Sequence, residues 1–461
     1  MAGLEGERPR AKRLPVLDIR HPIRGSHYDM VTSRAPGHVS PLKSKPHLVF
    51  VATRVPYPPV TGHYLRTLNI LRGLAERYSV HFFGFRDKRT SPEDAALADE
   101  ALGCLCATIH VEAVGAERSN VRLMMDLATS LLALEPFTAA KYRSRAMHRA
   151  VRESLAAHPI AIAHADSLQS GQYLRGVEVP MLLTNHNVEH LRLSSHAAQQ
   201  RSLGYRLALN AQAWLTKRFE RKTLRAIGNC VVVSESDSAE LARLVPEARF
   251  FVVRNGADTS LPPLPAAPPS TAVALWVGGM NDPFNREGVV HFASRILPRI
   301  REQIPEFRWH VVGRDAPPIL QALADDPSSG VELVGFVPSV REAYEQSAIV
   351  VVPLMSGGGT KLKVLEAMAM GRAVVTTRIG AEGIQARDTV EMEIAVTDEE
   401  FVRRAVALLR DPARRDRMAA AARQLAEREY AWDVVNRQMA AAVQSVIESH
   451  PAGKLMAACA G

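Results

Sequence analysis

Long apolar runs are missing from this chain of 461 residues. No uncharged apolar stretch of roughly 18 or more residues occurs, so no membrane-spanning helix is expected. The N-terminus also lacks the apolar core of a secretory signal, and a cytoplasmic protein is expected. Cysteine is scarce, with only Cys104, Cys106, Cys230 and Cys459. The Cys-x-Cys pair has the wrong spacing for a zinc knuckle and no second pair completes four ligands, so reduced thiols and no metal site are expected. No basic stripe interleaved with aromatics and no nucleic-acid module is visible, which argues against DNA or RNA as a partner.

What is present reads as an ordinary globular protein, with 47% apolar and 23% charged residues. The length is about three times that of a usual domain and predicts two or three. Net charge is +9, and residues 1–46 carry nine Lys/Arg against four Asp/Glu, a surplus of +5. That segment, rich in Pro, Gly, Ser and His, cannot bury enough apolar surface to fold. A disordered basic tail is expected there, either solvated or touching an anionic membrane surface.

Strand-like runs alternate with helical segments in two batches, the pattern of parallel sheets covered on both faces. The first batch comprises 47–53, 80–85, 108–114, 160–165, 181–187, 230–234 and 250–254; the second 272–279, 307–313, 331–337, 349–354, 373–377 and 392–396. Between them Pro262, Pro263, Pro265, Pro268 and Pro269 forbid regular structure, and a semi-rigid connector is expected. The reading is two doubly wound α/β domains, 47–258 and 271–430, joined by 259–270, with a helix over 431–449. Such sheets bind ligands at strand C-terminal ends, here in a shared cleft.

One stretch carries most of the chemistry. The apolar run Ala348 to Leu354 leads into Ser356-Gly357-Gly358-Gly359-Thr360-Lys361 and then into a helix bearing Glu366. Glycines permit close approach to the backbone, and free amides at a helix start attract an anion. Lys361 adds a full charge there, and Glu366 lies about one and a half turns on.

The run Gly357 to Thr377 resembles the donor-site signature of the family-4 glycosyltransferases of GT-B fold, notably bacterial members that build exopolysaccharide. Supporting matches are Pro56 to Pro59 with Gly62, Asn185 to His190, Val233 to Glu235, Asn255 to Asp258 and Val334 to Val337. The resemblance implies a retaining, metal-independent transfer of a hexosyl unit from a nucleoside-diphosphate sugar, a substrate and not a cofactor, to a glycan acceptor, lipid-linked by expectation. It implies that Glu366 takes the ribose hydroxyls, that Gly279, Gly357, Gly358, Gly359 and Thr360 cradle the diphosphate, and that Val337 and Phe336 seat the base. Gly62 faces the diphosphate from the opposite wall. His186 lies near the sugar and the acceptor hydroxyl, with His164 a weaker candidate.

The chain departs from the pattern in three places. Many members carry a second glutamate eight residues before the ribose-binding one; here stands Gly358. Many also carry an arginine after the first strand of the second domain and a lysine at the next helix; here stand Gly279 and Asn285. Positive charge for the leaving diphosphate must then come from Lys361, Lys363 or Arg314, of which Lys361 is ranked first. Two other functions remain open, a nucleotide-sugar epimerase of the same fold and a catalytically silent nucleotide-sugar-binding protein. Finally, Leu203, Leu207, Ala211, Trp214 and Leu215 recur at helical spacing among Arg201, Arg206, Lys217, Arg218, Arg221, Lys222 and Arg225. That pattern fits a domain helix with a basic face or a membrane-surface contact.

Overall fold

The computed structural model describes residues 45–59, 61–115, 129–200, 202–268, 270–337 and 339–451. Nearly all of the basic tail, with Arg201, Pro269 and Cys459, lies outside the described residues. Thirteen strands are present among them: β1 (His47–Val51), β2 (Ser79–Asp87), β3 (Thr108–Val114), β4 (Ile160–Ala165), β5 (Met181–Asn185), β6 (Asn229–Val232), β7 (Arg249–Val252), β8 (Val273–Val277), β9 (Arg308–Val312), β10 (Val331–Gly335), β11 (Ile349–Val352), β12 (Ala373–Thr377) and β13 (Glu393–Ala395).

They form two sheets, β3-β2-β1-β4-β5-β6-β7 and β10-β9-β8-β11-β12-β13. Every pairing is parallel. The expected strand runs coincide with the observed ones, to the residue at Thr108–Val114, Ile160–Ala165 and Ala373–Thr377. The central strands are unbroken apolar runs because both faces are covered: Leu48, Val49, Phe50 and Val51 are all fully buried, as are Ile349, Val351 and Val352. Two apolar clusters cover the two faces of the first sheet. One of them takes in Val435, Met439, Val443 and Val446 from the last helix, Trp432–Ser449, which therefore packs on the first sheet although its chain has just left the second.

The connector is not a free strap. Leu264 and Ala267 are buried in the second core, and the Leu264 amide donates to the Met370 carbonyl at 3.0 Å. Three buried arginines hold its carbonyls: Arg372 donates to Pro265, Arg415 to Ala267, and Arg423 to Thr259 and Leu261. The connector is thereby fixed to the second domain, and two stretches of chain cross between the sheets. There the Ala257 amide donates to the Tyr430 carbonyl at 2.7 Å, and the Trp432 ring lies so close over Gly256 that any Cβ would collide with it.

Candidate functional site

The loops that leave the strand C-terminal ends of the two sheets meet. From the first sheet come the start of the helix Gly62–Ala75 and the turn His186–Asn187; from the second come the glycine loop and the helix Leu362–Ala369 that follows β11. A Cβ at Gly62 would collide with the Leu362 side chain, and one at Gly359 with Asn187. Gly359 also has φ +70°, so the loop needs glycine there both for its conformation and for the approach. The two walls of the cleft thus touch through glycines.

The helix Leu362–Ala369 begins at Lys361 without a side-chain cap, whereas Thr61 caps the helix across the cleft and Asp282 caps the one beside it. No side chain therefore caps its first amides. Lys361 itself turns back: Nζ donates to the Gly358 carbonyl at 3.0 Å and the Gly359 carbonyl at 2.5 Å, and lies 3.7 Å from Glu382. Burial lowers its pKa against the pull of Glu382 and Asp237. In this arrangement it braces the glycine loop.

Lys363 holds the more telling position. Its Nζ lies 3.5 Å from the centre of the Trp276 indole ring and donates to Asn285 Oδ1 at 2.9 Å. A Cβ on Gly278 would come within 2.6 Å of it. Burial drives its pKa down to about 7, although Asp282 and Glu366 pull the other way. Among the described residues it has no ion-pair partner. Lys363 thus reaches from the helix Leu362–Ala369 to position 285, where Asn285 accepts from it.

Glu366 receives the Tyr344 hydroxyl at 3.0 Å. Burial raises its pKa, while Tyr344 and Lys363 oppose the rise. It is not a helix-surface salt bridge. Gly279 follows β8, where the carbonyl of Gly279 accepts from Asn285 Nδ2 at 2.8 Å. At Gly313 a Cβ would strike the Gly278 carbonyl, so two strand-end loops are in backbone contact. Arg314 is exposed and its guanidinium stacks 4.0 Å over the half-exposed Phe336 ring. It lies at the rim beside the proposed base seat. Val337 packs against the second core, which leaves Phe336 as the side chain of that pair that faces outward. Thr360 Oγ1 is buried without a hydrogen-bond partner, and a Cβ at Gly358 would meet nothing.

On the other wall His186 Nε2 donates to the Asp166 carbonyl at 2.7 Å, with Asp166 Oδ2 at 3.5 Å. Because a carbonyl can only accept, that bond assigns a proton to Nε2. His63 lies edge-on to His186 with ring centres 4.3 Å apart, and burial beside His186 lowers its pKa to about 3, so it is neutral. Burial pushes the Asp166 carboxyl up, but His186, His164 and His63 outweigh it and hold it well below the usual range. Thr67 Oγ1 donates to it at 2.5 Å. His63, Asp166 and His186 offer ligand atoms within 4.8 Å of one another, and His186 Nε2 is engaged by the Asp166 carbonyl.

The turn is held from beneath by Glu220, fully buried on the helix Leu203–Ile227, which accepts from Asn185 Nδ2 at 2.9 Å and His190 Nδ1 at 2.6 Å. His164 faces the core against Phe50 and bonds Thr184, so it does not reach the cleft. The sequence offered no signal for Asp166, Thr67 or Glu220, which gain their roles from contacts 20 to 99 positions apart. For His63 a signal existed in its place beside Gly62.

Known proteins share the fold and the sequence pattern of this chain. Residues 61–261 match the model described as Glycosyltransferase Family 4, and residues 271–411 the one described as Glycosyl transferases group 1. Among curated proteins, an uncharacterized 44.6 kDa protein in the cps region of Klebsiella pneumoniae is 27% identical over 128 residues, 26% of this chain and 33% of that protein. Among solved structures, sucrose-phosphate synthase from Thermosynechococcus elongatus superposes with a TM-score of 0.64 at 16% identity, covering 87% of this chain and 100% of that one. Anabaena HepE in complex with UDP gives 0.60 at 14% identity, covering 87% and 100%. These structures show the GT-B fold, and with both halves of the cleft matched, the chain belongs to the family-4, group 1 glycosyltransferases.

Proposed function

We propose that the protein is a retaining glycosyltransferase that moves a hexosyl unit from a nucleoside-diphosphate sugar to a glycan acceptor, lipid-linked, in polysaccharide assembly. The observation that carries the reading is Lys363, a part-buried cation without an ion-pair partner among the described residues, set under Gly278 beside the uncapped helix start. A burial-lowered amine in that place calls for an anion, and a diphosphate provides two negative groups. Glu366, 3 residues on along the same helix, would accept a ribose diol in this reading. The UDP bound by Anabaena HepE makes uracil the first base to test.

In this reading the bond between the sugar C1 and the diphosphate oxygen breaks with its electron pair going to the diphosphate. Lys363 and the helix amides stabilise that charge as it grows. The acceptor oxygen bonds to C1 from the same face, and its proton passes to the departing phosphate oxygen. His186 positions the sugar and acceptor through Nδ1, and Lys361 keeps the glycine loop in shape.

The acceptor side is supported by the surface of the helix Leu203–Ile227. Leu203 and Leu207 are each 60% exposed and Trp214 55%. Leu131, Leu132 and Leu134 are also exposed in a segment tied to this helix by Gln212, which donates to Ser130 and accepts from the Phe137 amide. The same exposed side continues into Lys217, Arg218, Arg221 and Arg225. An apolar patch beside a basic one suits the interface of an anionic membrane carrying a lipid-linked glycan. The cps-region relative is in keeping with a polysaccharide product. The test is calorimetry with UDP on the wild type and Lys363→Ala. The variant should lose at least about 10-fold in affinity; equal affinity would remove Lys363 from the site.

A further inference from the structure

The opposite end of the first sheet carries three histidines that transfer chemistry does not use. His47 opens β1, His81 is the third residue of β2, and His158 precedes β4 by two positions. Because β2, β1 and β4 are consecutive neighbours, the three side chains converge near the N-terminal ends of these strands. His47 Nδ1 lies 2.9 Å from His81 Nε2. The ring centres of His81 and His158 are 4.3 Å apart, those of His47 and His158 5.0 Å. One nitrogen from each falls within 4.8 Å of the others.

We propose that His47, His81 and His158 form a binding site for a divalent transition-metal ion of the imidazole-preferring class, Zn2+ foremost. Three neutral imidazoles with an open fourth position are a donor set that Zn2+ takes with water as the remaining ligand. The orientation of the buried ring is already set. His81 Nδ1 bonds Thr108 Oγ1 at 2.8 Å, so a proton on Nδ1 presents the Nε2 lone pair toward His47. The proton shared between His47 and His81 is the one a metal would displace. His81 is buried and held by β2, whereas His47 and His158 are half-buried and reachable from solvent. Zn–N bonds of about 2.0–2.1 Å hold the nitrogens roughly 3.3–3.5 Å apart. The His47 to His81 pair therefore opens slightly and the His158 ring swings inward from its stacked position.

The site is separate from the cleft. β1 runs from His47 to Val51, a rise of roughly 13 Å at about 3.3 Å per residue, before the loops of the transfer site begin. A metal here would clamp three adjacent strands and take no part in transfer.

The experiment uses the full chain without an affinity tag, stripped of metal and titrated with Zn2+ by calorimetry, alongside His158→Gln, Thr108→Val and His186→Gln. Thermal unfolding of each confirms folding and gives a second readout. The expected result is one high-affinity equivalent in the wild type and in His186→Gln, with Zn2+ raising the melting temperature of both. Affinity should fall at least about 100-fold in His158→Gln and about 10- to 100-fold in Thr108→Val. The proposal is overturned if the wild type takes up no equivalent, if His158→Gln binds as tightly as the wild type, or if the equivalent disappears in His186→Gln.

Discussion

At the scale of single residues, the account turns on which cation meets the diphosphate. Rank by position along the helix favoured Lys361, in its first turn, but that amine is spent on the Gly358 and Gly359 carbonyls. Lys363 has a pKa of about 7 without ligand, and a bound diphosphate must raise it. Below pH 7 the amine is already charged; above it, binding has to take up a proton. Donor affinity should therefore weaken by up to about tenfold per pH unit above 7, and Lys363→Arg should flatten that slope in pH-dependent calorimetry. An unchanged slope in the variant would assign the titration elsewhere. Glu366→Gln should fold normally and weaken nucleotide binding about 10- to 100-fold, the effect of about 1.5 to 3 kcal/mol of charged hydrogen bonding; unchanged affinity would take Glu366 out of the site. Glu366 and the glycines were legible because local spacing defines a helix start. Asp166, Thr67 and Glu220 were not, because only the fold brings them to His186.

At the scale of elements, the strands were readable because buried parallel strands are continuous apolar runs, as at Val49 or Val351. The connector was readable as irregular, since five prolines leave no alternative, but not as anchored. Its anchors are side chains more than 100 positions away, Arg372 at Pro265 and Arg423 at Thr259. Arg423→Ala should cost about 1.5 to 3 kcal/mol, seen as a lower urea midpoint; an unmoved midpoint would mean that the strap needs no anchor. The helix Leu203–Ile227 shows the opposite case. Its apolar spacing suggested one face with Leu203, Leu207, Trp214 and Leu215 together, yet only Leu215 is buried. Gln212, Thr216, Glu220 and Thr223 share the inner side with Ala213, Leu215, Phe219, Leu224 and Ile227. Periodicity cannot separate a core stripe from an exposed one when polar residues are recruited to hold a loop.

At the scale of the whole molecule, two faces have separate expected partners. No helix among the described residues is long and apolar enough to cross a membrane, and the proposed membrane contact runs through the exposed patch of the helix Leu203–Ile227. Replacing Leu207 and Trp214 together by Ser should weaken sedimentation with anionic liposomes and leave transfer to a soluble acceptor analogue unchanged. Each basic residue contributes up to about 1 kcal/mol, fading within a Debye length of about 10 Å at 0.1 M salt. Equal sedimentation of wild type and variant would move the contact elsewhere. The measurement that bears most directly on the central claim is incubation with a panel of nucleotide sugars, beginning with UDP-sugars, with and without a glycan acceptor in excess chelator, the product followed by NMR. The account predicts acceptor-dependent release of nucleoside diphosphate, persisting without free metal, and a new glycosidic bond with the anomeric configuration of the donor. An altered sugar formed from donor alone, inverted configuration, or binding without turnover across the panel would contradict it.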